Sequence, residues 1–117
     1  MIDQPRRVEK PWGHEIIWAE TDDYVGKILH IKAGEALSVQ YHVQKDETIC
    51  MLNGTMKFRV GPSEDKMEEF VMSPMDRYHT RPGEVHQMIA VTDCDVLEAS
   101  TPHLDDVVRL QDRYGRV

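Results

Sequence analysis

The sequence predicts an all-β fold, a sandwich or barrel of short antiparallel strands. Three observations point there. Glycine and proline recur at short intervals, at Pro11, Gly13, Gly26, Gly34, Gly54, Gly61-Pro62, Pro74, Pro82-Gly83, Pro102 and Gly115. The stretches between them are short and rich in β-branched and aromatic residues. Only one short segment near the C-terminus carries a helical or turn-like pattern. Strands of this length at this spacing build antiparallel sandwiches and barrels.

The punctuation sets the elements in order. His14–Trp18 follows the Pro11-Trp12-Gly13 break, and Val25–Ile31 runs toward Gly34. Ser38–His42 comes next, then Thr48–Leu52, which ends before Gly54. Thr55–Val60 stops at Gly61-Pro62, and the polar run Pro62–Lys66 reads as a loop tip. Glu68–Met72 precedes Pro74, Val85–Val91 follows Pro82-Gly83, and Val96–Ala99 precedes Pro102. Leu104–Leu110 is the segment of helical or turn-like pattern, with Thr101 and Asp105 as candidate caps. No internal repeat or low-complexity tract is present, and 117 residues suit a single domain, 1–117.

Composition narrows the function. Net charge is −7, from 14 Lys+Arg against 21 Asp+Glu. That disfavours nucleic acid as a partner. A small anionic ligand stays compatible, because a few clustered arginines can hold a phosphate within an acidic surface. No apolar run approaches the ~20 residues of a membrane span. The opening MIDQPRRVEKPWG has no apolar signal core, and Cys50 and Cys94 are too few for a disulfide framework. A cytoplasmic protein with reduced thiols is the expectation.

The run Gly34–Gly54 carries the chemistry. A strand sends alternate side chains to one face, so Gln40 and His42 share a face. Val43–Asp46 reads as a polar turn, with Lys45 and Asp46 solvated, and Glu47 then re-enters the same hollow. His86 follows the Pro82-Gly83 turn, which would aim its imidazole inward. Two imidazoles, a carboxylate and an amide oxygen suit zinc, iron, manganese, nickel or cobalt. The plainer alternative is a set of surface or satisfied core side chains, since glutamine is an unusual ligand. His14, His30, His79 and His103 are expected to be structural or surface residues, with His79 nearest the cavity mouth. Trp12 and Trp18 are expected in core or interface packing.

These residues resemble the cupin motifs. Gly34, Gln40, His42, Glu47 and Gly54 meet every spacing of the first motif, with glutamine for the usual first histidine. In the second motif Gly83 and His86 match, while Met75, Arg81 and Ala90 replace glycine, proline and asparagine. Three further stretches are similar to the C-terminal cupin domain of bifunctional mannose-6-phosphate isomerases. They are Lys10–Gly13 (KPWG), Gly34–His42 (GEALSVQYH) and Asp105–Arg116 (DDVVRLQDRYGR). Nothing in these residues resembles the nucleotidyltransferase half of those proteins, so a stand-alone small cupin is the expectation. The resemblance implies a jelly-roll, the double-stranded β-helix, with a short C-terminal helix or turn. It implies one divalent metal, zinc first, on Gln40, His42, Glu47 and His86. It also implies catalytic roles for Arg109, near the sugar phosphate or enediolate, and Lys27. One departure is Val43, Gln44 and Lys45, where the family has further basic residues after the metal histidine.

The activity so implied is aldose–ketose isomerisation of a sugar phosphate. A metal gripping both oxygens of the enediolate lowers its charge cost. A base must move the proton, and a metal-bound hydroxide, Lys27, His79 and Glu47 all remain candidates. Arg109 offers fixed charge and a bidentate fork; its plain alternative is a surface arginine paired with Asp105, Asp106 or Asp112. Arg113 and Arg116 are expected to tie down the tail. Two other functions compete: a non-catalytic module that binds a small molecule, and an iron-dependent dioxygenase or an epimerase on the same scaffold. A homodimer through Arg6–Ala19 is expected, because Trp12, Ile16, Ile17 and Trp18 give that segment apolar surface on both faces.

Overall fold

A computed structural model describes residues 1–117. Eleven strands run in chain order: β1 Arg6–Lys10, β2 Gly13–Glu20, β3 Val25–Ile31, β4 Val39–Tyr41, β5 Glu47–Asn53, β6 Met56–Gly61, β7 Glu68–Met72, β8 Arg77–Thr80, β9 Val85–Ala90, β10 Cys94–Ser100 and β11 Val108–Gln111. All pairings are antiparallel. One sheet has the order β1-β2-β3-β10-β5-β8 and the other β11-β4-β9-β6-β7. The non-sequential order is that of a jelly-roll, with two sheets facing each other over one core. No helix is long and apolar enough to cross a membrane.

The strands expected from the sequence are present, and three more join them. β1, β8 and β11 lie at sheet edges, where one face is solvated and polar residues are tolerated. The segment expected to be helical or turn-like divides into a turn around residues 104–105 and the edge strand β11, with no helix. Strand pairing won because Val108 and Arg109 find Tyr41 and Gln40 on β4.

Inward residues split the interior into two ends. Leu29 and Ile31 of β3, Ile49 and Met51 of β5 and Val96 of β10 meet Met56, Phe58 and Met88 of the other sheet in an apolar core. Truncating a side chain such as Phe58 there costs about 3–5 kcal/mol. At the other end the same inward positions turn charged: Glu15 of β2, Lys27 of β3, Glu98 of β10 and Glu47 of β5 are all buried. Apolar burial supports the first end, and the second is built for something polar.

Candidate metal centre

Register places the candidate ligands. Gln40 of β4 stands directly opposite His86 of β9, so both side chains share the inner face of the five-stranded sheet. His42 comes directly after β4, two residues past Gln40. Glu47 enters from β5 of the facing sheet. One ligand atom from each of His42, Glu47 and His86 lies within 4.8 Å of the others, and all three residues are buried. Gln40 lines the same cavity, its Oε1 accepting a hydrogen bond from Ser38 Oγ at 2.9 Å.

The loops that hold these residues are stitched by the backbone. Gly83 adopts φ 86°, a left-handed conformation that glycine enters without strain. The Asp106 carboxylate accepts the N–H groups of Val43, Gln44 and Lys45 at 3.0, 2.6 and 2.8 Å. Those three bonds hold its carboxyl down at about 2.

Whether the residues suit a cation can be read from the imidazoles. His42 Nδ1 is 2.6 Å from Asp106 O, and His86 Nδ1 is 2.9 Å from Glu84 O. A carbonyl only accepts, so both Nδ1 atoms carry protons and donate. Both Nε2 atoms then turn to one oxygen, Glu47 Oε1, at 3.0 and 3.3 Å. An ionised carboxylate oxygen only accepts, so an Nε2 bonded to it carries a second proton, or a cation stands in that proton's place. Two imidazolium rings 5.1 Å apart in a buried site repel each other. His86 Nε2 is also buried without a hydrogen-bond partner, while Glu47 Oε2 has only the Lys45 ammonium near it, at 3.4 Å. A histidine that donates Nδ1–H to a carbonyl and leaves Nε2 free is oriented as a metal ligand. The donor set fits a divalent ion. Burial works against the charge of Glu47, but His42, His86 and Lys45 outweigh it and keep the carboxyl well below its usual range.

Above the ligands lies a cavity of about 610 Å³ counting its open mouth. Lys10, Lys27, Lys45, Arg109 and Arg116 contribute cations to its lining, against Glu15, Glu47, Glu98 and Asp106. Lys27 Nζ donates to Glu15 Oε2 at 2.9 Å, and Lys10 lies 3.6 Å from the other oxygen. Arg109 lines the cavity, and its Nε is buried without a partner. Of its three alternative partners, Asp106 is engaged by the loop, Asp112 by the Arg116 fork at 2.9 and 3.0 Å, and Asp105 makes no ion pair with it. Arg113 donates to Gly34 O at 2.7 Å, so it and Arg116 both fasten the tail.

Two expectations need correction. Lys45 is not solvated. It is 5 % exposed, and its Nζ donates to Glu98 Oε2 at 3.0 Å. Burial disfavours its charge, but Glu98 and Glu47 outweigh that and raise its pKa. Glu98 is itself pushed up to about 7, first by burial and then by Glu47. The Asp106 cap bends the loop so that Lys45 turns in. Second, His79 does not line the cavity mouth. On β8 it stands opposite Thr48, so it shares Thr48's outward parity, while Thr80 opposite Glu47 faces in. Its Nε2 meets Asp46 Oδ1 at 2.5 Å. His14 and His30 stack at 5.0 Å outside the site, and His103 bonds Thr101. Trp12 is buried in the core and Trp18 is exposed. Sequence reading missed Glu15 and Glu98 altogether. The available signal was a carboxylate at an inward strand position, in phase with Ile17 and Val96 respectively.

The family profile described as "Mannose-6-phosphate isomerase C-terminal" matches residues 1–112. The chain belongs to this family. It is a cupin, similar to the C-terminal region of larger sugar-phosphate enzymes. Mannose-1-phosphate guanylyltransferase of Escherichia coli (strain K12) is 34 % identical over 117 residues, covering 96 % of this chain and 23 % of that protein. Mannose-1-phosphate guanylyltransferase ManC of Salmonella typhimurium is also 34 % identical, again over 96 % of this chain and 23 % of its own length. The chain thus spans about a quarter of these relatives. Among solved structures, the capsular polysaccharide assembling protein CapF of Staphylococcus aureus superposes with TM-score 0.81 at 16 % identity, over 95 % of this chain and 33 % of that one. Oxalate decarboxylase of Bacillus subtilis gives 0.78 at 13 %, over 97 % and 32 %. KdgF from Halomonas sp. gives 0.69 at 18 %, over 83 % and 87 %. These structural likenesses show the cupin fold.

Proposed function

We propose that this cupin is a metal-dependent aldose–ketose isomerase acting on a hexose phosphate of the mannose 6-phosphate type. The observation that carries the reading is the pairing of a His42–Glu47–His86 cluster with the unpartnered buried Nε of Arg109 in one cavity. The family's description and the relatives' names, which both refer to mannose phosphates, support the substrate class. His42, Glu47 and His86 would hold the ion, with Gln40 as fourth ligand. When bound there, a divalent ion supplies Lewis-acid stabilisation of the negative charge that develops on the two sugar oxygens. Zinc is the first expectation for this donor set.

The chain's own residues do the rest. Arg109 grips the phosphate or the enediolate through a charged fork that no carboxylate has claimed. Lys27 and Glu15 form a buried donor–acceptor pair at 2.9 Å. Lys27, held beside Glu15, is the side chain that would take the proton from C2 of the aldose and return it at C1, while the hydroxyl proton passes from O2 to O1. Trp12, Leu29, Leu37 and Met88 keep the inner wall apolar and limit water.

The test is conversion of fructose 6-phosphate to mannose 6-phosphate in deuterated water, with deuterium followed at C2. His42→Ala should lose the metal and the conversion while keeping the fold. A folded, metal-loaded wild-type protein that neither converts nor exchanges any hexose phosphate rules the reading out and leaves a binding module.

A further inference from the structure

A row of alternating charge runs along the inner face of the six-stranded sheet, with Lys45 reaching in from the loop before β5. Glu15, Lys27, Glu98, Lys45 and Glu47 follow one another, each more than nine-tenths buried. Lys27 Nζ meets Glu15 at 2.9 Å, and Lys27 stands opposite Glu98 in the β3–β10 register. Lys45 Nζ lies 3.0 Å from Glu98 Oε2 and 3.4 Å from Glu47 Oε2. Buried ion pairs are a weak source of stability, because desolvation consumes most of the Coulomb gain. The row therefore calls for a role other than holding the fold.

Its last member divides its two oxygens. Glu47 Oε1 faces both imidazole Nε2 atoms, and Oε2 faces Lys45. A carboxylate at this place could swing about its own axis and offer either oxygen, or both. Lys45 removes that freedom on one side, and Glu98 fixes where the Lys45 ammonium sits. We propose that Lys45, braced by Glu98, is a positioning residue that holds Glu47 Oε2 and so presents Oε1 alone to the metal. This rests on the metal-binding reading of the cluster and not on the isomerase activity.

Charge and position make opposite predictions, which lets an experiment separate them. An ammonium ion close to a metal repels it through space, so deleting a mere bystander would tighten metal binding. Deleting a brace loosens it. Zinc affinity is measured by competition with a chromophoric chelator for wild type, Lys45→Met and Lys45→Arg. Cobalt(II) absorption of the same proteins reports coordination. The expected result is a loss of about ten- to a hundredfold for Lys45→Met, with a changed cobalt spectrum. Lys45→Arg, which can still reach both carboxylates, should recover affinity to within a few-fold. Should Lys45→Met not fold, the double variant Lys45→Met/Glu98→Leu removes both charges and should fold while still binding zinc weakly.

Unchanged or tighter zinc binding in the folded Lys45→Met protein, or in that double variant, overturns the proposal. A wild-type protein that takes up no zinc or cobalt overturns both the proposal and the metal centre. Normal metal behaviour in this series without any sugar-phosphate turnover overturns only the isomerase reading and leaves the role of Lys45 standing.

Discussion

The backbone N–H of Gly83 donates to the carbonyl of His42 at 2.8 Å. Two ligand segments distant in sequence are thereby joined at their bases, since Gly83 opens the turn that delivers His86. The φ of 86° at Gly83 leaves a new Cβ nothing to strike within 4 Å. Gly83→Ala therefore tests backbone conformation alone. It should cost about 1–2 kcal/mol in urea unfolding and weaken zinc binding at the same time. A stability loss with unchanged zinc affinity would show that this bond does not hold the ligands in place.

In the proposed function Arg109 holds the phosphate of the substrate. Replacing it with methionine should weaken mannose 6-phosphate binding by about 1.5–3 kcal/mol, the range of a charged hydrogen bond. Metal content should stay at the wild-type level. Calorimetry with the sugar phosphate and elemental analysis of the same sample check both halves. Lys should rescue only in part, because it lacks the planar fork.

Asp106 makes stability depend on pH. Its carboxyl is depressed from 3.8 to about 2 by the three loop N–H groups. A group with a lowered folded-state pKa stabilises above its ordinary value, and the benefit fades as pH falls through the folded one. Asp106→Asn should be less stable than wild type at pH 7, with the gap closing between about pH 4 and pH 2. Thermal melts of both proteins across that range measure it. A gap that stays constant would mean that the Asp106 charge contributes nothing through this cap.

Met75 stands where the second cupin motif has glycine, and it adopts φ 75°. The left-handed region costs a residue with a Cβ about 1–2 kcal/mol, offset in part by the greater unfolded-state freedom of glycine. Met75 is 75 % exposed, so its side chain leaves no cavity behind. Met75→Gly should raise stability by up to about 1 kcal/mol, read as a higher urea midpoint.

The inner half of the fold was legible in the sequence because alternation and turn residues mark strands that bury one face. β1, with RRVEK, and β8, with RYHT, escaped for the opposite reason: edge strands need no apolar face. Gln40, His42, Glu47 and His86 could be assigned to one hollow once the cupin motifs were added to parity and spacing, which alone left surface or core roles open. Lys45 could not, because its burial depends on Glu98, 53 residues away, and on the Asp106 cap, 61 residues away. Local polarity reads such a lysine as solvated. His79 failed on parity, since the β5–β8 register was not visible from either strand alone.

The alternating row along the inner wall constrains how this cavity can change. Each charge there is answered by a neighbour of opposite sign, so a lone substitution strands an ion in a dry interior. Substitutions that arrive in couples, one acid and one base together, leave the balance intact. A variant library aimed at a new ligand should therefore be drawn over pairs such as Lys27 with Glu15, or Lys45 with Glu98, rather than over single sites.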